Sequence, residues 1–258
     1  MSAAHPTTLP PAPTEAAEAF GGALPQAVRY AELLCTDGVE RGLVGPHERE
    51  RIWARHLLNS VTLAALIPAG ATVADVGSGA GLPGIPLALV RPDLSITLVE
   101  PMARRVEFLA EVRATLGLSV VVERARAEQL AGRRFDVVVA RAVAPLPRLI
   151  AAVAPMLRPG GRLLALKGAS ASAEVDSAQP MLPDLGGKAE VHQVLAGGEM
   201  TYIVQVQLDT PPTRRPERLT ARTRGRQDAS HGGRGRGTGA GPETVQPPAV
   251  DPDAVDEA

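Results

Sequence analysis

A single cysteine, Cys35, stands in the 258-residue sequence. One thiol has no partner for a disulfide within the chain and no second sulfur for a metal cluster, which fits a reducing compartment. The five histidines (His5, His47, His56, His192, His231) are scattered without metal-ligand spacing, so no metal is expected. Aromatic residues make up only 2% of the chain: Phe20, Tyr30, Trp53, Phe108, Phe135 and Tyr202. Modules that read single-stranded RNA stack bases on aromatic faces, and this chain has few to offer. Phe108 and Phe135 fall in core patterns; Tyr30 and Trp53 are the better stacking candidates, although core packing is the simpler expectation for both. The net charge of −1 gives no bulk basicity, so any nucleic-acid contact must rest on a local patch. No apolar run escapes proline and charge for long enough to span a bilayer. The start, "MSAAHPTTLPPAPTEAAEAF", has neither a basic n-region nor an apolar h-region. Together these absences predict a soluble, cytoplasmic chain with no membrane partner, long enough for one sizeable core.

Four regions follow from composition. Residues 1–14 are expected to be a disordered leader, and residues 15–70 a small helical segment. The latter is carried by "TEAAEAFGGALPQAVRYAELLCTDG" and "GPHERERIWARHLLNSVTLAALI", with Ile52, Leu57 and Leu58 opposed to Arg49, Glu50, Arg51 and Arg55. From 71 to 209 strand-like runs ("TVADVG", "SITLVE", "SVVVE", "FDVVVA", "GRLLALKG", "AEVHQVL", "TYIVQVQL") alternate with helix candidates. In "MARRVEFLAEVRATLGL" the residues Met102, Val106, Leu109, Val112 and Leu116 recur at helical spacing. Strands apolar throughout belong in a parallel sheet covered on both faces, hence an α/β, Rossmann-like architecture. The last two runs are joined only by "AGGEM", short enough for a hairpin, so one terminal strand of a seven-stranded, mostly parallel sheet should be antiparallel. Residues 210–258 form a tail with eight arginines between Arg214 and Arg236 and only acids beyond Glu243. Its composition fits an RNA-contacting arm and a solvated, self-neutralising tail equally well.

The chemistry concentrates in "VADVGSGAGLPGIPLALV", residues 73–90. A strand, a glycine turn and a helix make a nucleoside-cofactor site at the carboxyl edge of a sheet. Gly79, Gly81 and Gly84 satisfy G-x-G-x-x-G literally, and Glu100 ends the next strand where an acid would hold ribose hydroxyls. That keeps a dinucleotide in play. Yet the strand ends before Gly77, which places the first tight turn at Gly77 and Gly79. Asp75, two residues earlier, suits the cationic amino-acid end of S-adenosylmethionine and would repel a pyrophosphate. "RARAEQL" follows the third strand, where Glu128 and adjacent backbone can read an adenine edge.

These stretches, with "RHLLNS", "GLPGIPLALVRPD", "RRVEFL", "FDVVVARAVAPL" and "LLALKG", occur in an order that resembles the RsmG family, also called glucose-inhibited division protein B, over about Leu24 to Leu208. The resemblance implies a class I methyltransferase that uses S-adenosylmethionine to methylate guanine N7 in 16S ribosomal RNA. Its partner would be that RNA or the small ribosomal subunit, met by a monomer. By position it implies cofactor contacts at Gly77, Leu82, Ala127, Glu128 and Arg141, to which Asp75, Gly79 and Glu100 are added from the residues themselves. Where relatives often carry an asparagine-leucine-threonine element, this chain has "VERGLVGPHERE".

Guanine N7 is an in-plane lone pair and needs no base to deprotonate it, so catalysis should come from positioning. No nucleophile–base–acid set is apparent in the sequence. Arg141 and Lys167, at the carboxyl ends of the fourth and fifth strands, are the catalytic candidates; a salt bridge and an exposed strand end are their plain alternatives. Arg55 and His56 could touch RNA or the cofactor loop, and helix packing suits His56 as well. Two rival classes remain on residues alone: an NAD-dependent oxidoreductase, from the literal glycine pattern, and a non-catalytic RNA-binding module, from the basic block of the tail.

Overall fold

A computed structural model describes residues 9–209. Most of the expected leader and all of the expected 210–258 tail lie outside the described residues. Seven strands form one sheet in the order β3-β2-β1-β4-β5-β7-β6. They are β1 (Thr72–Val76), β2 (Ser95–Val99), β3 (Val121–Glu123), β4 (Phe135–Arg141), β5 (Leu157–Lys167), β6 (Gly187–Ala196) and β7 (Glu199–Leu208). The first five are parallel to one another, and β7 is antiparallel to both β5 and β6. The last strand in sequence is thus reversed, as the short connection predicts, but it inserts between β5 and β6 instead of forming the edge. Successive strands run outward from β1 to β3, then restart on its other side with β4. That reversal leaves a crevice at the C-terminal ends of β1 and β4, where open α/β sheets bind ligands.

Both faces of the sheet are covered, which is why its strands read as continuous apolar runs. On one face Val73, Ile96, Leu98, Val137, Val139 and Leu164 join a single buried cluster with α2 (Leu24–Cys35), α5 (Gly84–Val90) and α6 (Ala103–Leu116). On the other, Ala74, Val76, Val138, Ala140 and Leu163 pack against α7 (Leu146–Val153) and α8 (Ala171–Ala178). Phe20 of α1 (Thr14–Phe20), Tyr30, Ile52 and Leu57 belong to the first cluster, so the N-terminal helices share their core with the sheet. Tyr30, Trp53, Phe108 and Phe135 are all buried. Helix α6 buries Phe108, Leu109, Val112 and Leu116, while Met102, expected on its apolar face, precedes the helix and is 41% exposed.

Two local departures matter. Between α2 and α5 lie the short helices α3 (Asp37–Glu40) and α4 (Asn59–Val61), and residues 46–66 are helical but irregular, with a π-helical turn over Ile52–Leu58. The wider turn brings residues five apart onto one side: Ile52 with Leu57, and Trp53 with Leu58, are all buried. His56, four residues after Ile52, lies on the same buried side. Strand β5 begins at Leu157, earlier than "GRLLALKG" suggests, because the register against β4 shifts between the Phe135↔Leu157 and Val137↔Arg162 pairs. The β6–β7 turn places Gly197 and Gly198 at φ +55° and +78°. A two-residue hairpin of this kind needs positive φ at both positions, which glycine supplies without strain.

Candidate cofactor and target site

The glycine turn is stitched to the end of β2. The Gly77 and Ser78 N–H groups donate to the Val99 carbonyl at 2.8 and 3.2 Å, and the Gly79 N–H donates to Glu100 Oε2 at 3.0 Å. Glu100 is itself buried and accepts from the Met102 N–H at 3.0 Å and from Arg105 at 3.5 Å. Gly77 and Gly79 take φ of +70° and +58°. The other two glycines do packing work. A Cβ on Gly81 would stand 2.5 Å from Ile85 Cγ1, and one on Gly84 would stand 2.3 Å from Leu98 Cδ2 and 2.7 Å from Asp75 Oδ2. The literal G-x-G-x-x-G therefore mixes one cavity-lining glycine with two packing ones, and the cavity-lining pair is Gly77 and Gly79. Gly84→Ala is expected to lower stability by about 1–3 kcal/mol through overpacking at the start of α5. Urea unfolding measures it, and an unchanged midpoint would contradict the contact.

A cavity of about 690 Å³ opens over this turn. Seven of the eight cofactor residues expected from the sequence line it: Gly77, Gly79, Leu82, Glu100, Ala127, Glu128 and Arg141. The eighth, Asp75, does not. It lies fully buried beneath the turn, its Oδ2 accepting from the Gly84 N–H at 2.9 Å and its Oδ1 without a partner. Burial pushes its pKa up to about 7, against the lowering effect of that N–H. The lining fits S-adenosylmethionine, with Glu100 placed for a ribose diol and Ala127 and Glu128 for an adenine edge; Asp75, expected from the sequence to meet the amino-acid end, is instead sealed beneath the turn and supports it. His56, Met102 and Arg105 also line this cavity.

A second cavity of about 780 Å³ adjoins the first, and Arg141, Ala142, Val143 and Ala144 line both. Its wall adds Arg51, Arg55 and Lys167. Arg141 donates to the Arg55 carbonyl at 3.2 Å and to His56 Nδ1 in a short hydrogen bond, while His56 Nε2 bonds Glu48 Oε2 at 2.8 Å. These partners fix the imidazole as the tautomer with hydrogen on Nε2. Burial, and the charge of Arg141, push the His56 pKa down to about 4, so the ring is neutral at physiological pH. Burial also pushes the Arg141 pKa down. Arg141 is thus held by a Glu48–His56 chain and not by Asp75 or Glu100. Lys167 is 8% exposed and donates to the Ala144 carbonyl at 2.8 Å and to Glu174 at 2.7 Å, so it fastens the segment after β4 instead of projecting freely. Sequence reasoning missed Glu48, which looks like one more exposed charge in "PHERER", and Arg105, whose neighbour Glu100 is its only clue.

The strand order with its inserted antiparallel strand, the glycine turn at the β1/β4 reversal and the acid ending β2 define a class I S-adenosylmethionine-dependent methyltransferase. Within that class the family is specific. The family model "GidB: rRNA small subunit methyltransferase G" matches residues 23–198, and the chain belongs to this family. Three relatives carry the name ribosomal RNA small subunit methyltransferase G. The protein from Streptomyces avermitilis is 53% identical over 212 residues, covering 79% of this chain and 88% of its own. That from Salinispora tropica is 55% identical over 208 residues, covering 76% and 86%. That from Mycobacterium sp. strain JLS is 55% identical over 181 residues, covering 69% and 80%.

Proposed function

We propose that the chain transfers a methyl group from S-adenosylmethionine to N7 of a guanine in small-subunit (16S) ribosomal RNA. In this reading residues 71–209 form the catalytic domain, residues 15–70 complete its cleft, and the protein acts as a cytoplasmic monomer on the RNA or the small subunit. Among the described residues no helix is long and apolar enough to cross a membrane. The observation that carries the reading is Arg141 on the wall shared by a nucleoside-sized cavity and a basic one, with its neighbouring imidazole already occupied on both nitrogens.

S-adenosylmethionine, when bound, supplies an electrophilic methyl group on a sulfonium. The protein's part is placement. Glu100 accepts from Gly79, Met102 and Arg105 and, with about four acceptor sites on a carboxylate, keeps one for a ribose hydroxyl. Arg141 offers guanidinium hydrogens to guanine O6, the acceptor beside N7, and so aligns the base edge with the first cavity. Lys167 acts by holding the Ala144 carbonyl and with it the wall between the cavities. Displacement at N7 removes no proton, and His56, the base nearest the shared wall, is committed to Arg141 and Glu48. The arrangement does not favour hydride transfer, for which the cavity offers no free imidazole.

Calorimetric titration with S-adenosylhomocysteine and with NADH separates the classes: the first should bind and the second should not. Binding of NADH alone would refute the cofactor assignment. Mapping N7-methylguanine in 16S ribosomal RNA from cells lacking this protein tests the target; an unchanged methylation pattern would refute it.

A further inference from the structure

Among the described residues five large apolar side chains stand exposed, and two of them face each other across one hairpin. Leu195 is 67% exposed and Met200 52% exposed, and they are direct partners in the β6–β7 ladder. Directly opposed residues of an antiparallel pair put their side chains on the same face, so the two make one apolar ridge at the hairpin end. The ridge is held firmly. Arg51 donates to both oxygens of Glu199 at 2.8 Å, and Asn59 Nδ2 donates to Thr201 Oγ1 at 2.7 Å. A Cβ on Gly197 would lie 2.8 Å from Ala54 Cα, so the turn sits directly on the π-helical segment that carries Arg55 and His56. Met200 also lines the second cavity with Arg51, Arg55 and Arg141, and Val143, 42% exposed, lines both cavities.

A rigid apolar ridge beside cations at a cavity mouth suits a base flanked by phosphates. Arg51 and Arg55 keep their side chains 47% exposed there. A guanine stacked between neighbours cannot present N7 inside a cavity; it must leave the stack, and the gap costs unstacking energy. Other RNA- and DNA-binding proteins fill such gaps with aromatic faces or with apolar wedges such as Leu and Met. No Phe, Tyr or Trp side chain is exposed among the described residues. We propose that Leu195 and Met200 form an apolar wedge that stacks on the RNA base next to the target guanine and holds the target nucleotide out of its stack. This rests on the guanine-methylation reading above.

The test uses the full chain with saturating S-adenosylhomocysteine and an RNA stem–loop carrying 2-aminopurine beside the guanine. Its fluorescence should rise on binding the parent protein, as the stack opens, and should stay flat on binding the Leu195→Ser/Met200→Ser variant. In methyl transfer the variant should lose at least about tenfold in kcat/KM on the folded RNA, the order expected from one lost base-stacking contact. On an unstructured oligonucleotide of the same sequence the loss should be smaller, and Leu195→Met/Met200→Leu should restore both readouts. An equal fluorescence rise with the variant, or equal losses on both RNAs, overturns the wedge. So does a parent dimer that the variant dissociates, which would assign the ridge to a second copy. A parent that opens the stack but methylates no guanine N7 sinks the reading of function and spares the unstacking contact.

Discussion

Gly77→Val is expected to weaken S-adenosylhomocysteine binding by at least about 100-fold, close to 3 kcal/mol, while leaving the far-ultraviolet spectrum of the folded chain in place. Two effects combine. Gly77 holds φ at +70°, where a β-branched residue is strained. Its Cβ would also stand 2.9 Å from Val143 Cγ2, on the wall opposite, so the turn and the segment after β4 must separate. The valine's outer carbons would add bulk at the cavity wall that Gly77 forms. A double-mutant cycle apportions the loss. If the collision dominates, Val143→Ala recovers much of the binding of Gly77→Ala; if backbone strain dominates, the two changes add. Calorimetry reads both, and parent-like affinity in Gly77→Val would remove the turn from the cofactor site.

That glycine turn was also the part of the site most open to reading from sequence, and the reason is local. A strand ending at Val76, a tight turn and a helix are set by neighbouring residues, as are the acid closing β2 and the arginine closing β4. The covered strands announce themselves through residues such as Val137, Val138 and Val139, buried alternately against opposite layers. What escaped was long-range. Asp75 alternates onto the face that Tyr30 and α2 cover, so it supports the turn from below instead of lining the cavity. Lys167 looks like an exposed strand end until α8 brings Glu174 to 2.7 Å. The anchoring of Arg141 pairs it with His56, 85 positions away, and although the spacing from Ile52 places that ring on the buried side of its helix, no local signal names its partner. A literal motif misled for the converse reason: spacing cannot say which glycines face a ligand and which make room for Ile85 or Leu98.

The Glu48–His56–Arg141 chain yields the second large effect. His56→Ala leaves the half-buried Arg141 guanidinium with only the Arg55 carbonyl and takes the imidazole donor from Glu48, so kcat/KM should fall about 10- to 100-fold, in line with hydrogen bonds to charged groups. His56→Gln, which retains an acceptor for Arg141, should recover part of it. Acid has a distinct signature. The His56 pKa lies near 4 in the folded chain against 6.5 ordinarily, so the unfolded chain binds the proton first, and this group's stabilisation is lost as pH falls from about 6.5 through about 4. Asp75 acts in the opposite sense. Its folded pKa near 7 exceeds its ordinary 3.8, so its stabilisation is full below about 3.8 and is lost as pH rises towards about 7. Over pH 4 to 6.5 the two oppose each other and the parent's melting temperature should vary little from these groups. His56→Gln removes only the first, so its melting temperature relative to the parent should climb as pH falls across that window. A difference that is constant with pH would show that His56 is not held neutral in the fold, and the anchoring of Arg141 through its Nδ1 would fall with it.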